Sequence, residues 1–176
     1  KLDNQLMRLA QRLRCTYTRY ADDITFSFNQ TRSHLPKEIV DFKDDVAVVG
    51  NALANLISSN GFKINYDKTR LQANQNRQAV TNITVNEKLN VNRRFLRQTS
   101  SMLHAALKFG LIKAEAEYFD KYHKGYTPPR HIKKRKEHPG LLMRQKIRGR
   151  LNFIRSVRGE TCPLWRDLMF RYTVLI

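Results

Sequence analysis

Tyr20-Ala21-Asp22-Asp23 sets two carboxylates side by side between Cys15-Thr16-Tyr17-Thr18-Arg19-Tyr20 and Ile24-Thr25-Phe26-Ser27-Phe28, two runs of β-branched and aromatic residues. Adjacent carboxylates repel, and desolvating them together is costly. A divalent cation reverses that sign. Mg²⁺ suits hard oxygen ligands, takes one or two carboxylates, and keeps waters and phosphates as its other ligands. Two such ions about 3.5–4 Å apart can hold the attacking and leaving oxygens of a phosphoryl transfer. The flanking runs read as a hairpin, whose strands would keep the acids rigid. Ala21 is small enough to let a strand end approach. The competing reading is a plain polar turn, since Asp is among the commonest turn residues.

The elements around this motif follow from periodicity. Leu2, Leu6, Leu9 and Leu13 recur on one face of a helix. Residues 29–37 read as a loop. Val46, Val49, Leu53, Leu56 and Ile57 predict a helix stopped by Asn60-Gly61. Phe62 to Tyr66 alternates like a strand, and Asp67-Lys68-Thr69 is turn-like. Residues 80–85 and 89–91 predict a second hairpin across Asn86-Glu87-Lys88. From about residue 92 the pattern is helical, through Leu141 to Val157 and Leu164 to Tyr172. Residues 123–140, with three prolines, two glycines and a dense basic cluster, read as a loop or inserted arm. Trp165 and Phe170 are expected to fill core.

The 176 residues carry 33 Lys and Arg against 15 Asp and Glu, a net charge of +18. Such a chain repels itself unless it meets a polyanion, and nucleic acid is the expected partner because neutralised phosphates release counterions. Arg130, Lys133, Lys134, Arg135 and Lys136 are candidate phosphate contacts. Arg148 and Arg150 flank Gly149 on an expected helix, where glycine invites either close approach to a nucleic-acid groove or close helix packing. Cys15 and Cys162 are far apart and form no C-x-x-C pair, which argues against zinc knuckles and redox motifs and suits the cytoplasm. No apolar run reaches membrane-spanning length, so no membrane span is expected; no membrane partner is expected either, an anionic membrane surface being the alternative to nucleic acid for so basic a chain.

Arg19-Tyr20-Ala21-Asp22-Asp23, preceded by Arg14-Cys15-Thr16-Tyr17-Thr18 and followed by Ile24-Thr25-Phe26-Ser27, closely resembles the catalytic motif of bacterial reverse transcriptases, retron enzymes in particular. The resemblance continues in register through Asn60 to Asn65, Lys68-Thr69-Arg70, Gln78 to Asn86 and Arg148 to Gly159, with residues 123–140 the least matched. One departure stands out: Asn82 occupies a position that is usually Gly, and Asn is the residue most tolerant of positive φ after Gly.

The resemblance implies an α+β fold: a C-terminal palm portion over residues 1–92, then an all-helical thumb over 93–176 with a basic loop at 123–140. It implies RNA-directed DNA synthesis in a retron-like antiphage defence system. Two Mg²⁺ ions would be held by Asp22 as main ligand, Asp23 as support, and a further Asp upstream of Lys1. Tyr20 and Ala21 would lie near the growing strand end, and Lys68, with Lys63 as its rival, near the incoming deoxynucleotide triphosphate. Val80, Thr81 and Asn82 would contact RNA. The implied partners are a structured non-coding RNA, its RNA–DNA hybrid and a defence effector protein. The piece alone would bind nucleic acid and synthesise nothing. Two alternatives stay open: a non-catalytic RNA-binding scaffold, or a reverse transcriptase of a group II intron or diversity-generating element.

Overall fold

The computed structural model describes residues 1–122 and 128–175. The chain is α+β and forms two compact units, Lys1–Thr81 and Asn82–Ile176.

The first unit begins with α1 (Leu2–Arg12), which buries Leu2, Leu6 and Leu9 on one face. Its exit is a left-handed cap. Arg14 takes φ 51°, its N–H donates to Gln11 O (3.2 Å), and the Cys15 N–H donates to Ala10 O (3.0 Å). That turn leads the chain into β1 (Thr16–Tyr20), antiparallel to β2 (Asp23–Ser27), with Tyr17 opposite Phe26 and Tyr20 opposite Asp23. Period-two alternation sends Tyr17, Ile24 and Phe26 to the core, while Thr16, Thr18, Tyr20 and Asp23 on the other face are exposed.

A second hairpin pairs β3 (Val40–Lys43) with β4 (Val46–Val49), and α2 (Asn51–Ser59) follows. The helix expected from Val46 onward therefore begins only at Asn51. Valine at 46, 48 and 49 favours a strand, and Asp44 and Asp45, at φ 48° and 65°, supply the tight turn before it. The Asn60-Gly61 stop is as expected: Gly61 takes φ 81°, and the Phe62 and Gly61 N–H groups donate to Ile57 O and Ser58 O. Phe62 to Tyr66 does not pair as a strand. Asn65 instead receives hydrogen bonds from the Lys68 N–H and from the Thr69 N–H and hydroxyl, closing a turn.

In the second unit, β6 (Ile83–Thr84) pairs antiparallel with β7 (Asn90–Val91), as the second hairpin was expected to; β5 (Ala79–Val80) precedes them in the chain. Five helices follow: α3 (Arg93–Phe109), α4 (Leu111–Tyr122), α5 (Pro129–Glu137), α6 (Leu141–Arg158) and α7 (Pro163–Leu175). Leu103, Ile147, Leu151 and Ile154 are wholly buried in their core, each contributing about 2 kcal/mol of transfer free energy.

Helix α5 corrects the loop expected at 123–140. Pro129 sits at its first turn, where a fixed φ and a missing N–H cost nothing, and no helix breaker intervenes before His138-Pro139-Gly140. Residues 123–127 of that expected loop lie outside the described residues. Trp165 is core-lined, its indole N–H donating to Leu151 O (3.1 Å), whereas Phe170 is 69% exposed and does not fill core as expected. The odd spacing of α7's apolar residues puts Leu168 and Tyr172 inward and Phe170 outward.

Gly50 shows how tightly the first unit is closed. A Cβ there would lie 2.2 Å from Lys37 O and 2.4 Å from the Glu38 carbonyl carbon. Gly50→Ala should therefore destabilise this unit by about 1–3 kcal/mol, as overpacking does, read as a lower denaturant midpoint. An unchanged midpoint would show that the segment relaxes freely.

Candidate functional site

The β1–β2 hairpin carries the acidic motif at its tip. Ala21 and Asp22 make the turn, and Asp23 opens β2 opposite Tyr20. Ala21 takes φ 53°, a left-handed conformation that a residue with a Cβ adopts at a cost of about 1–2 kcal/mol. Strained backbone of this kind collects where surrounding structure over-determines it.

The surrounding structure here is Asp3 on α1. Its carboxylate accepts from the Tyr17 hydroxyl at 2.5 Å and pairs with Arg19 at 3.0 Å. Both partners lie on the inner face of β1, so one carboxylate fastens the strand to the helix just before the tip. Tyr17 also packs on Phe26, ring centroids 5.4 Å apart. Burial and the hydrogen bond to Asp3 push the Tyr17 hydroxyl up to about 12 from the ordinary 10.0.

Asp22 and Asp23 are exposed, and among the described residues no hydrogen bond or ion pair engages either carboxylate. The chain supplies its own comparison. The β3–β4 hairpin also turns on two aspartates, Asp44 and Asp45, but there both take positive φ, which Asp tolerates well. Asp45 is also paired with Arg32 at 2.8 Å. At the β1–β2 tip the left-handed position falls to Ala21 instead. Turn chemistry accounts for the second pair of aspartates and not for the first.

Two exposed carboxylates match the donor class and number that Mg²⁺ takes from a protein. Among the described residues no group of three or more His, Cys, Asp or Glu gathers to hold a metal. The donor set present therefore fits part of a metal site.

The other expected site residues fall out as follows. Tyr20 is 72% exposed beside the acids. Lys63 and Lys68 are exposed, and neither ammonium has a partner among the described residues. Thr81 and Asn82 take φ 47° and 68°, so Asn82 does adopt the positive φ that its usual glycine would. Thr81 beside it, β-branched, is the costlier residue there, and its hydroxyl donates to Val80 O at 2.8 Å.

Arg150 points into the bundle. It donates to the Thr99 hydroxyl (2.8 Å) and Phe95 O (2.9 Å), and its guanidinium lies 3.8 Å from the Phe95 ring centroid. It fastens α6 to α3, while Arg148 is exposed and unpaired among the described residues. A Cβ on Gly149 would meet nothing within 4 Å, so helix packing does not explain that glycine. In α5, Lys133 pairs with Glu137 (3.8 Å) and Lys134 donates to Gln145 (3.0 Å). Arg135 lies 3.6 Å from the buried Glu115 and over the Phe119 ring at 4.5 Å. Arg130 and Lys136 are exposed without a partner among the described residues.

Arg93, Arg94 and Arg97, not singled out from the sequence, are exposed at the start of α3, and among the described residues nothing engages their guanidinium groups. Three arginines within five residues opening a helical pattern were the available signal.

No protein-family model and no solved structure matches the chain. Curated proteins do match, two of them from Myxococcus xanthus. The retron Mx162 reverse transcriptase is 41% identical over 86 residues, 49% of this chain and 17% of its own length. The retron Mx65 reverse transcriptase is 33% identical over 123 residues, 68% of this chain and 25% of its own length. The chain thus spans between 17% and 25% of the length of these relatives.

Two outcomes are expected from this geometry. The folded value of Tyr17 lies above its unfolded value, so the stabilisation from the Asp3 clamp is whole below about pH 10 and is lost as pH rises to about 12. An ultraviolet difference titration against Tyr17→Phe should show the missing tyrosine ionising near that upper value; ionisation at the ordinary value would mean the clamp is open in solution. Gly149→Ala should stabilise the helical unit by about 1 kcal/mol, seen as a higher thermal midpoint.

Proposed function

For a chain homologous to retron reverse transcriptases over 68% of its length, we propose a part in RNA-templated DNA synthesis by the complete protein, with Asp22 and Asp23 as its share of the metal site. The observation that carries this is the pair of exposed, unpartnered carboxylates on a hairpin tip fastened from behind by Asp3. In a chain of net charge +18, two adjacent acids left without a cation are held for a ligand from outside.

Asp22 would be the main ligand of a Mg²⁺ ion and Asp23 its support, and an ion held there would supply neutralising charge at the reacting phosphate. The reaction is attack of a strand's 3′ hydroxyl on the α-phosphate of a deoxynucleotide triphosphate, releasing pyrophosphate. The chain's own residues position the partners. The clamp at Tyr17 and Arg19 fixes the height of the tip. Ala21 presents only a methyl group beside the acids, so a strand end can come close, and Tyr20 offers an exposed ring next to it. Lys68 brings an unpaired ammonium toward the triphosphate. Residues 1–92 are palm and the helices after them are thumb, with the Val80-Thr81-Asn82 turn touching RNA. A structured non-coding RNA is template and primer, the RNA–DNA hybrid is the product held, and the setting is cytoplasmic antiphage defence with an effector protein.

The charge distribution supports this division. Residues 1–81 carry 12 Lys and Arg against 8 Asp and Glu, and residues 82–176 carry 21 against 7. The acids needed for metal lie in the first unit, and the excess of cations that holds phosphates lies in the second. No described helix is long and apolar enough to cross a membrane.

Primer extension by the complete protein tests the reading. Asp22→Asn should lower DNA synthesis at least about a hundredfold, since a catalytic ion is worth several kcal/mol, and Asp23→Asn should lower it less. Both should bind RNA as the wild type does. Unchanged synthesis in both variants would remove the site assignment, and no synthesis by the wild type would favour a non-catalytic RNA-binding scaffold.

A further inference from the structure

Helices α4, α5 and α6 enclose a cavity of about 140 Å³ in the second unit, lined by Tyr118, Phe119, His131, Leu142, Met143 and Lys146. An engineered cavity of about 150 Å³ in another protein binds one benzene molecule. This one is therefore the size of a single six-membered ring, well under the roughly 300 Å³ at which pockets for larger small molecules begin.

The walls are held from behind. The Glu115 carboxylate accepts from the Met143 N–H (3.0 Å) and the Gly140 N–H (3.2 Å), which fixes the head of α6 against α4. Arg135 covers the Phe119 ring at 4.5 Å. These contacts set two sides of the cavity before any ligand arrives, which lowers the cost of binding one.

Two polar groups are left over in this apolar setting. His131 Nδ1 is buried and has no hydrogen-bond partner among the described residues. Leaving such an atom unpaired costs about 1–3 kcal/mol, and each one in a folded protein calls for an explanation. The Lys146 ammonium lies 4.4 Å from the centroid of the Tyr118 ring, and among the described residues no acid or hydrogen-bond acceptor engages it. Water answers His131 poorly. A buried water needs two to four polar partners, and most of this lining is ring face or apolar side chain.

A ligand that fits is flat, no larger than one ring, apolar on its faces, hydrogen-bonding at its edge and anionic beside Lys146. A pyrimidine nucleotide has each of these properties. Its base stacks on an aromatic ring such as Tyr118. Its edge presents donors and acceptors side by side, so it suits His131 Nδ1 in either tautomer. A purine, with two fused rings, is too large. A tyrosine of a partner protein matches the ring and the edge but brings no anion to Lys146.

We propose that this cavity is a binding site for one pyrimidine nucleotide, with the ring against Tyr118, its edge on His131 Nδ1 and its phosphate on Lys146. The nucleotide is either free or a single unpaired residue of an RNA, and the chemistry recognised is the same. The site belongs to the helical unit and stands whether or not Asp22 and Asp23 serve a polymerase.

The test titrates the full chain with UMP, CMP, AMP and inorganic phosphate at one salt concentration. A second arm uses two RNA hairpins that differ only in carrying an unpaired uridine or an abasic residue at one position. UMP and CMP should bind about tenfold or more tightly than AMP or phosphate, or the uridine hairpin should exceed the abasic one by the same factor. The first result identifies a free nucleotide as the ligand, the second a residue of RNA. His131→Leu removes the unpaired atom and keeps an apolar wall. Its thermal midpoint should be unchanged or higher, and the pyrimidine preference should disappear. Lys146→Gln should weaken whichever probe binds by about tenfold, the worth of one charged hydrogen bond. No preference in either arm, a preference undiminished in His131→Leu, or an unchanged affinity in Lys146→Gln would each overturn the proposal.

Discussion

With more than two cations for every acid, carboxylates are the scarce resource of this molecule, and where each one goes decides what the rest can do. Asp3 holds a hairpin to a helix, Asp45 quiets Arg32 at a second hairpin, and Glu115 is buried between α4 and the start of α6. Glu117, Glu137, Glu160 and Asp167 each hold a neighbouring Lys or Arg. The exposed pairs among these add little stability singly, yet they sort the surface. A cation with a local acid is partly neutralised, and one without is available to phosphate. By the same sorting, Asp22 and Asp23 are among the acids that no cation engages among the described residues.

Much of the first unit was legible in the sequence because its signals are local. The leucine spacing of α1, the Asn60-Gly61 stop and the β1–β2 hairpin each depend on a few consecutive residues, and each is present. The misreadings share a cause. Val46 and Val49 fit a helical spacing, but the turn at Asp44-Asp45 decided their fate, and its left-handed backbone is visible only in three dimensions. Residues 62–66 alternate like a strand without a partner to pair with. Helix α5 hid behind prolines that bracket it rather than interrupt it.

The candidate site was legible as a motif and not as a structure. Tyr20 to Asp23 could be read directly, but Asp3 could not be connected to it, since a helix-first residue and a strand tyrosine 14 positions later meet only through the fold. Charge density was a poor guide to availability. Arg148 and Arg150 look equivalent in sequence, yet one is exposed and the other is fastened across two helices, where burial lowers the affinity of its guanidinium for its proton.

Glu115 has a mechanical consequence. Its carboxylate accepts from the Gly140 and Met143 N–H groups at the head of α6, and Arg135 of α5 stands 3.6 Å away. Drawing Arg135 outward to grip a passing strand would strand a negative charge in the interior, a penalty of several kcal/mol. Helix α5 is therefore latched in its last turn. It can lend the free ends of Arg130 and Lys136 to a polyanion, but it cannot swing out to follow one, and any nucleic acid that crosses this unit must conform to the protein at that point rather than the reverse.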